Sequence, residues 1–273
     1  MTLTKTKLQL RDSSMSILDI GSGPALLLAH GWLCDSQTWS AQVDALSRDY
    51  RVIVPDMWGH GLSGAMPPST TSLSDIASQH QELLDIMGVD RVCIVGHSMG
   101  AMWGAELAII DPQRISGLVI VASSLAAEPE PSKASFLAVV DQIAEQQGLP
   151  EEFASSLLWM FYSEKFRLQH PDRLRLHQHQ LVNWPRDRID DSVVPIGRMI
   201  FNRRDVTSEI NALKIPMLTM AGSADQALSI DRVIRMAQSI GSPSISIEGA
   251  GHMLADEAPA PVTSYIRDLM ETL

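Results

Sequence analysis

Four short apolar runs, separated by segments of other character, constrain the fold of this chain more than any other feature of its sequence. They lie within residues 21–30, 51–56, 91–97 and 114–123. Continuous apolar runs of this length are typical of strands buried on both faces of a parallel sheet. A capping serine and a terminal glycine delimit a predicted helix over residues 72–88. The alternation predicts an α/β fold with a mostly parallel central sheet flanked by helices.

The regular alternation stops after the fourth apolar run and resumes later in the chain. Residues 126–133 form a proline-bearing linker, and the sequence up to residue 205 is mostly helical in pattern. Strand patterns return over residues 215–222 and 242–251. We therefore predict a core domain formed by residues 1–124 and 206–273, interrupted by a helical lid over residues 125–205. Weak alternation over residues 15–21 predicts an edge strand.

Composition excludes several classes of protein. The chain has 273 residues, 45% of them apolar, and a net charge of −11 without a block of Lys or Arg. Binding to nucleic acid or to an anionic membrane is therefore not expected. Two cysteines indicate no disulfide framework, and residues 1–15 lack the apolar core of a signal peptide. We expect a cytoplasmic protein; the oligomeric state is left open, with a homodimer as one alternative.

The third apolar run ends in the sequence GHSMG, residues 96–100. Gly-x-Ser-x-Gly between a strand and a helix is the pattern of a nucleophile elbow, in which a sharp turn presents the serine hydroxyl. The turn requires small neighbours, and it places Ser98 at the carboxyl edge of the sheet, where ligands bind in such folds. The alternative is an ordinary turn that happens to hold a serine.

A serine nucleophile needs a base, and the base needs an orienting acid. His252 follows the last predicted strand and Asp225 follows the strand before it, so both are expected at the edge that holds Ser98. The order Ser, Asp, His is the order this fold uses. A loop histidine and a turn aspartate are the alternatives. Asp231, in a first helical turn, and the weaker rivals Asp205 and Glu128 are other candidates for the acid.

An oxyanion that forms during acyl transfer needs two N–H donors. The backbone N–H of Met99, at the start of the helix after Ser98, is one candidate. The N–H of Trp32, after Gly31 in the loop that follows the first apolar run, is the second. The Trp32 side chain is expected either to form a wall of the pocket or to be an ordinary core or rim aromatic.

These motifs give the sequence a clear resemblance to the α/β-hydrolase superfamily. It is most similar to the group of small esterases, 3-oxoadipate enol-lactonases and cofactor-free haloperoxidases or perhydrolases. The resemblance is carried by HGW at 30–32, DMWGHGLS at 56–63, GHSMG at 96–100, GSAD at 222–225 and GAGH at 249–252. The segment around the acid departs from the commoner acidic, Pro-containing version.

The resemblance implies the α/β-hydrolase fold with a helical lid over the pocket. It implies Ser98 as nucleophile, His252 as base and Asp225 as acid, with Trp32 and Met99 as oxyanion donors. It also implies that the segment DMWGHGLS is a structural loop, so that its histidine is structural. No cofactor and no metal are expected.

The lid sequence gives weaker indications about the pocket. We expect Trp159 and Phe161, from the aromatic cluster WMFY, to line it together with Trp32 and Leu33. The other half of the cluster is expected to form the core of the lid. Arg203 and Arg204, near the end of the lid, are interpreted as a solvated or salt-bridged pair, with a contact to a substrate carboxylate as the alternative.

Three histidines of the lid, His170, His177 and His179, are interpreted as solvated surface residues rather than ligands of a shared metal, because positions i and i+2 of a helix face different sides. The predicted function is a serine hydrolase that cleaves a small-molecule carboxylic ester or lactone through an acyl-enzyme. An enol-lactonase and a perhydrolase or haloperoxidase are the alternatives among enzymes. A ligand-binding receptor on a vestigial hydrolase fold is the alternative outside enzymes.

Overall fold

A single sheet lies at the centre of the fold. The structure, a computed structural model, describes residues 5–273. The eight strands in this range are β1 (Thr6–Leu10), β2 (Ser13–Ile20), β3 (Ala25–Ala29), β4 (Arg51–Pro55), β5 (Val92–His97), β6 (Ile115–Val121), β7 (Met217–Gly222) and β8 (Ser244–Ile247). Their spatial order is β1-β2-β4-β3-β5-β6-β7-β8. β2 runs antiparallel to β1 and β4, and the other neighbours are parallel. The predicted, mostly parallel sheet is confirmed.

The helices cover both faces of this sheet. They are α1 (Ser40–Leu46), α2 (Leu73–Ile86), α3 (Met99–Ile110), α4 (Glu130–Gln146), α5 (Glu151–Phe161), α6 (Glu164–Gln169), α7 (Pro171–Val182), α8 (Arg186–Arg188), α9 (Val194–Phe201), α10 (Thr207–Leu213), α11 (Ile230–Ser239), α12 (Leu254–Glu257) and α13 (Pro259–Met270). A 3₁₀ turn, Ser36–Trp39, precedes α1, and a π-helical turn, Ile189–Val193, precedes α9. No helix within residues 5–273 is both long and apolar enough to cross a bilayer.

The core consists of two apolar clusters, one on each face of the sheet. Along β3, Leu27 belongs to one cluster, whereas Leu26 and Leu28 belong to the other. Side chains of a strand alternate between its faces, so a strand covered on both faces needs apolar residues at every position. This requirement explains why the central strands are continuous apolar runs.

The carboxyl ends of the central parallel strands meet at one edge. Ala29 of β3 pairs with Gly96 of β5, and His97 pairs with Val121 of β6. β7 follows β6 in the same direction. The loops after β3, β5, β6 and β7 therefore converge on the same side, which is the side on which the sequence placed the candidate site residues.

Helices α4 to α9 lie between β6 and β7 in the chain, and we call this run, residues 130–201, the cap segment. The two segments that connect the cap segment to the core meet where the N–H of Val206 donates to the carbonyl of Leu125, at 3.2 Å. Beside them Glu128 binds Arg203 (2.9 Å) and Arg232 in a buried cluster. Burial alone would raise the pKa of Glu128, but hydrogen bonds from Arg232 and Ser132 and the charge of Arg203 lower it to about 2.

Two features at the ends of the core differ from the sequence prediction. The strand predicted over residues 15–21 is β2, but it is not the edge, because β1 pairs with it through the register Leu8↔Met15. β1 is short and mostly exposed. It is a strand because it pairs with β2 in a hairpin, and its sequence has no apolar pattern that would predict it. In addition, α10, a helix that was not predicted, precedes β7.

Candidate active site

Ser98 occupies a strained turn between β5 and α3. Its backbone has φ +50° and ψ −116°, a combination that costs a non-glycine residue on the order of 1–3 kcal/mol. A side chain at Gly96 would collide with the backbone of Ala101, and one at Gly100 with the backbone of Ala29. The two glycines therefore permit the tight corner that sequence analysis proposed for Ser98.

His252 and Asp225 meet at the end of their two strands. His252 Nδ1 lies 2.8 Å from Asp225 Oδ2, and the Asp225 side chain is fully buried. The other carboxylate oxygen accepts hydrogen bonds from the N–H groups of Ala227 (2.8 Å) and Leu228 (2.9 Å). Because a carboxylate only accepts, the proton of a neutral His252 ring lies on Nδ1, which leaves Nε2 as a base.

Ser98 and His252 line one cavity, which holds about 750 Å³ of space between the protein atoms, part of it open to solvent. Within residues 5–273 no hydrogen bond of normal geometry joins the Ser98 hydroxyl to His252; such bonds often form only when substrate is bound. The lining is mostly apolar and includes Trp32, Met102, Phe136, Val139, Leu157, Met160, Phe161, Ile200, Phe201, Leu228 and Met253. This size is typical of a site for a small organic molecule.

The two candidate oxyanion donors lie beside Ser98. A Cβ placed on Gly31 would be 3.3 Å from the Cβ of Ser98, so the backbone that leads into Trp32 passes directly against the serine. Met99 is the first residue of α3. Neither the Trp32 nor the Met99 N–H has an acceptor among residues 5–273, so both are available to a ligand.

The Trp32 side chain is both a cavity wall and a contact to the cap segment. Its indole N–H donates to the carbonyl of Val193 at 2.9 Å, and its ring meets Phe201 edge to face. A Cβ on Gly197 would lie 2.8 Å from the indole, so the absence of a side chain at this position lets α9 approach the ring.

Two of the four predicted pocket residues do not lie in this cavity. Trp32 and Phe161 line it, but Trp159 is 61% exposed and packs under the guanidinium of Arg167. Leu33 is buried and lies beside a separate groove, and its N–H donates to His60. Trp159 and Phe161 are two positions apart on α5, so they cannot share a helix face; the sequence did not show which face turns inward.

The prediction that His177 is a solvated surface residue is wrong. Its side chain is buried, its Nε2 lies 3.1 Å from the carbonyl of Leu33, and its Nδ1 lies 3.2 Å from the Tyr162 hydroxyl. Burial lowers its pKa. α7 packs on α5, and this packing turns the face of α7 that carries His177 towards the core. His170 and His179 are exposed, as predicted.

His60 uses both of its ring nitrogens for the main chain. Nδ1 donates to the carbonyl of Trp58 at 2.7 Å, and Nε2 accepts from the N–H of Leu33 at 3.2 Å. Burial, followed by the charge of His30, lowers the pKa of His60 to about 3. These contacts suit the structural role that the resemblance implied for this loop.

The two arginines near the end of the cap segment are paired with carboxylates. Arg203 lines the cavity but binds Glu128. Arg204 lies outside it and binds Glu106 and Glu209, each at 2.7 Å. This is the salt-bridged arrangement: both guanidinium groups are ion-paired, and of the Arg203 donors the buried Nε–H has no acceptor among residues 5–273.

The three other candidates for the acid serve other contacts. Glu128 holds two arginines, and Asp205 accepts from the N–H of Thr207 at 2.9 Å. Asp231 lies in the first turn of α11. Of the four acidic residues considered, Asp225 is the one bonded to His252. Residues 5–273 contain no cluster of three or more His, Cys, Asp or Glu side chains placed to hold a metal ion.

Sequence reasoning missed the contacts that hold the His252 loop. The N–H groups of His252 and Met253 both donate to the carbonyl of Phe161, at 2.8 and 3.1 Å. The Glu257 carboxylate accepts from the N–H of Gly251 (3.0 Å) and of Ser163 (3.2 Å). Burial, helped by the charge of Asp225, raises the pKa of Glu257. Main-chain contacts between segments about 90 residues apart leave no local signal that could have indicated them.

Comparison with known proteins places this geometry in a family. A family model described as alpha/beta hydrolase fold matches residues 24–259. The chain belongs to the α/β hydrolases. This confirms the resemblance that the sequence motifs carried.

Two α/β hydrolases of known structure and one curated relative illustrate the similarity. An esterase from Thermogutta terrifontis superimposes with a TM-score of 0.87 at 24% identity, over 98% of each chain. An enol-lactonase from Burkholderia xenovorans gives 0.84 at 21% identity, over 97% of this chain and 100% of that one. A protein named putative carbamate hydrolase RutD, from Stutzerimonas stutzeri, is 26% identical over 90% of this chain and 91% of its own length. At these identities the two structures establish the fold.

Proposed function

We propose that this α/β hydrolase is a serine hydrolase that cleaves a neutral carboxylic ester or lactone through an acyl-enzyme. The observation that carries the proposal is the 2.8 Å bond between His252 Nδ1 and buried Asp225, beside a strained Ser98 in the same cavity. A serine on a strained strand-to-helix turn, in one cavity with an oriented imidazole, is the arrangement of a nucleophile elbow and its base.

Acylation begins when Ser98 Oγ attacks the substrate carbonyl and passes its proton to His252 Nε2. The resulting imidazolium is stabilised by Asp225, which accepts from Nδ1. The negative charge on the former carbonyl oxygen is stabilised by the N–H groups of Trp32 and Met99, each worth roughly 100- to 1,000-fold in rate in comparable sites. Collapse of the tetrahedral intermediate breaks the ester bond, and the His252 proton goes to the leaving alkoxide.

Deacylation repeats these steps with water as the nucleophile. His252 takes a proton from water, the hydroxide adds to the acyl carbonyl, and collapse returns the proton to Ser98 Oγ and releases the acid. In a lactone the alkoxide stays attached to the acyl group, so hydrolysis releases a single product that carries both the hydroxyl and the carboxyl group.

The cavity supports a neutral substrate over an anionic one. Its lining is mostly apolar, and the two arginines that reach it, Arg203 and Arg232, share the carboxylate of Glu128. A lactone that carries a free carboxylate would have to compete with Glu128 for these two guanidinium groups and place its charge against an otherwise apolar wall, which is costly for a desolvated charge.

The first test is hydrolysis of p-nitrophenyl esters of increasing chain length, simple lactones and an aryl carbamate, with wild type and Ser98→Ala in parallel. The carbamate is included because of the name that a relative carries. We expect turnover of some neutral esters or lactones with an acyl burst, and a loss of at least about 1,000-fold in Ser98→Ala. Wild type should also be labelled at Ser98 by a fluorophosphonate probe.

Two results would contradict the proposal. One is a Ser98→Ala protein as active as wild type. The other is a wild type that neither turns over the panel nor reacts with the fluorophosphonate, which would favour a ligand-binding receptor on the same fold.

A further inference from the structure

His97 links the strand that carries Ser98 to the loop that carries His252. It is the last residue of β5, and its side chain is buried against the cavity. His97 Nε2 lies 2.9 Å from the carbonyl oxygen of His252, and the centroids of the two rings are 5.1 Å apart. The residue before the proposed nucleophile therefore contacts the main chain of the proposed base.

The contacts of His97 fix its protonation state. A carbonyl oxygen only accepts, so Nε2 carries the proton and Nδ1 is bare. Nδ1 is buried without a partner in residues 5–273, and a Cβ on Gly31 would lie 2.8 Å from it. A second proton there would have no acceptor, and burial, followed by the charge of His252, lowers the pKa of His97 to about 3. The structure therefore holds His97 in the form that donates from Nε2 to the His252 carbonyl.

The hydrogen bond from His97 is not needed to satisfy the His252 carbonyl. The N–H of Leu254 donates to the same oxygen at 2.9 Å. What His97 adds is a direct connection between the base loop and β5, whereas the contacts from Phe161 and Glu257 connect that loop to the cap segment and to itself.

We propose that His97 is a positioning residue, which sets the distance between His252 and Ser98 by holding the His252 carbonyl. The inference rests on the proposed function. A misplacement of about 1 Å at a catalytic group can cost on the order of 100-fold in rate, so a contact that ties base to nucleophile has a large effect without touching the reacting atoms.

Three variants test this role. His97→Gln places an amide N–H as many bonds from Cβ as Nε2 is, so it can keep the donor. His97→Leu has no donor. His80→Leu is the matched control: His80 is buried on α2, donates Nδ1–H to the carbonyl of Ile76 and stacks on Trp103.

We expect kcat of His97→Leu on the best neutral ester to fall at least about tenfold with KM within about twofold, because bound substrate meets a displaced base. His97→Gln should stay within about threefold of wild type and keep the acid limb of the pH profile of kcat/KM. His80→Leu should retain wild-type kcat. Hydrogen exchange of backbone amides over residues 249–256 should accelerate in His97→Leu and not in His97→Gln.

The outcomes separate this inference from the proposed function. Activity that depends on Ser98 but is unchanged in His97→Leu would overturn the positioning role alone, as would an equal loss in His97→Gln and His97→Leu. Full activity in Ser98→Ala would overturn the proposed function and the positioning role with it. If His97→Leu does not fold, His97→Asn replaces it, because its amide is one bond too short to reach the carbonyl.

Discussion

Asp225 shows how much a single residue contributes to this site. One carboxylate oxygen binds His252 and the other binds two backbone N–H groups of its own turn, at Ala227 and Leu228. The turn therefore fixes the carboxylate, and the carboxylate fixes the imidazole. A side chain of the same shape without the charge would preserve the packing and change the chemistry.

Asp225→Asn should lower kcat by roughly 1,000- to 10,000-fold, because an amide that donates to Nδ1 selects the tautomer with the proton on Nε2. The measurement is kcat on the preferred ester together with thermal unfolding, which should change little. Asp231→Asn, at the rival position in the first turn of α11, is the control and should remain within about twofold of wild type. Comparable losses in both variants would contradict the assignment of the acid.

The sequence was sufficient to predict those site residues that follow strands. Ser98 comes directly after β5, Asp225 three residues after the end of β7 and His252 five residues after the end of β8, so strand order places them at one edge. The orientation of helical residues was not accessible in this way. The predicted environments of Trp159 and His177 were wrong because packing between helices decides which face of each helix turns inward. α5 and α7 pack against each other, and the sequence does not show this contact.

At the scale of elements, α5 combines an inner and an outer aromatic residue. Phe161 lines the cavity with its ring 5.8 Å from the His252 ring, whereas Trp159 faces solvent beside Arg167. The end of this helix therefore contributes one of these two aromatic residues to the cavity lining.

Phe161→Ala should raise KM for an apolar ester by roughly 10- to 200-fold, the effect of losing apolar contact in a pocket. Trp159→Ala should leave kcat and KM within about twofold of wild type. Steady-state kinetics on the same ester compares the two, and chemical denaturation checks that both proteins fold. An increase in KM for Trp159→Ala as large as that for Phe161→Ala would restore the sequence prediction that Trp159 lines the pocket.

The elements of the core were more predictable than those of the cap segment. Each central strand carries its own apolar signal, since both faces are covered. β1 carries none, because it is defined by its pairing with β2. The cap helices could be predicted as helices, but their packing depends on contacts such as Trp32 against Gly197 that join distant parts of the chain.

At the scale of the whole molecule, buried neutral histidines couple folding to pH. Five histidines are buried with a lowered pKa: His30, His60, His80, His97 and His177. Burial is the largest cause in each case, and it brings His80 to about 4. Between about pH 6.5 and these lower values, the unfolded chain binds more protons than the folded one.

The free energy of unfolding should therefore be highest above about pH 6.5 and fall as the pH decreases, by up to about 1.4 kcal/mol per pH unit for each such histidine. Urea unfolding at pH 7, 6 and 5 measures the slope. His80→Phe, which keeps a ring against Trp103, should reduce it, and His179→Gln at an exposed position should not. Stability that does not change between pH 7 and 5 would contradict the prediction.

The carbonyl of Phe161 restricts how a protein of this kind can diversify. It belongs to the cap segment, yet it accepts hydrogen bonds from the N–H groups of His252 and Met253. The cap segment and the His252 loop are thus not separable modules, and in a chimera with a foreign cap the position of His252 would change. Side chains that face the cavity can vary freely by comparison. New substrate preferences are therefore more accessible through point changes on existing cap helices than through exchange or removal of the whole segment.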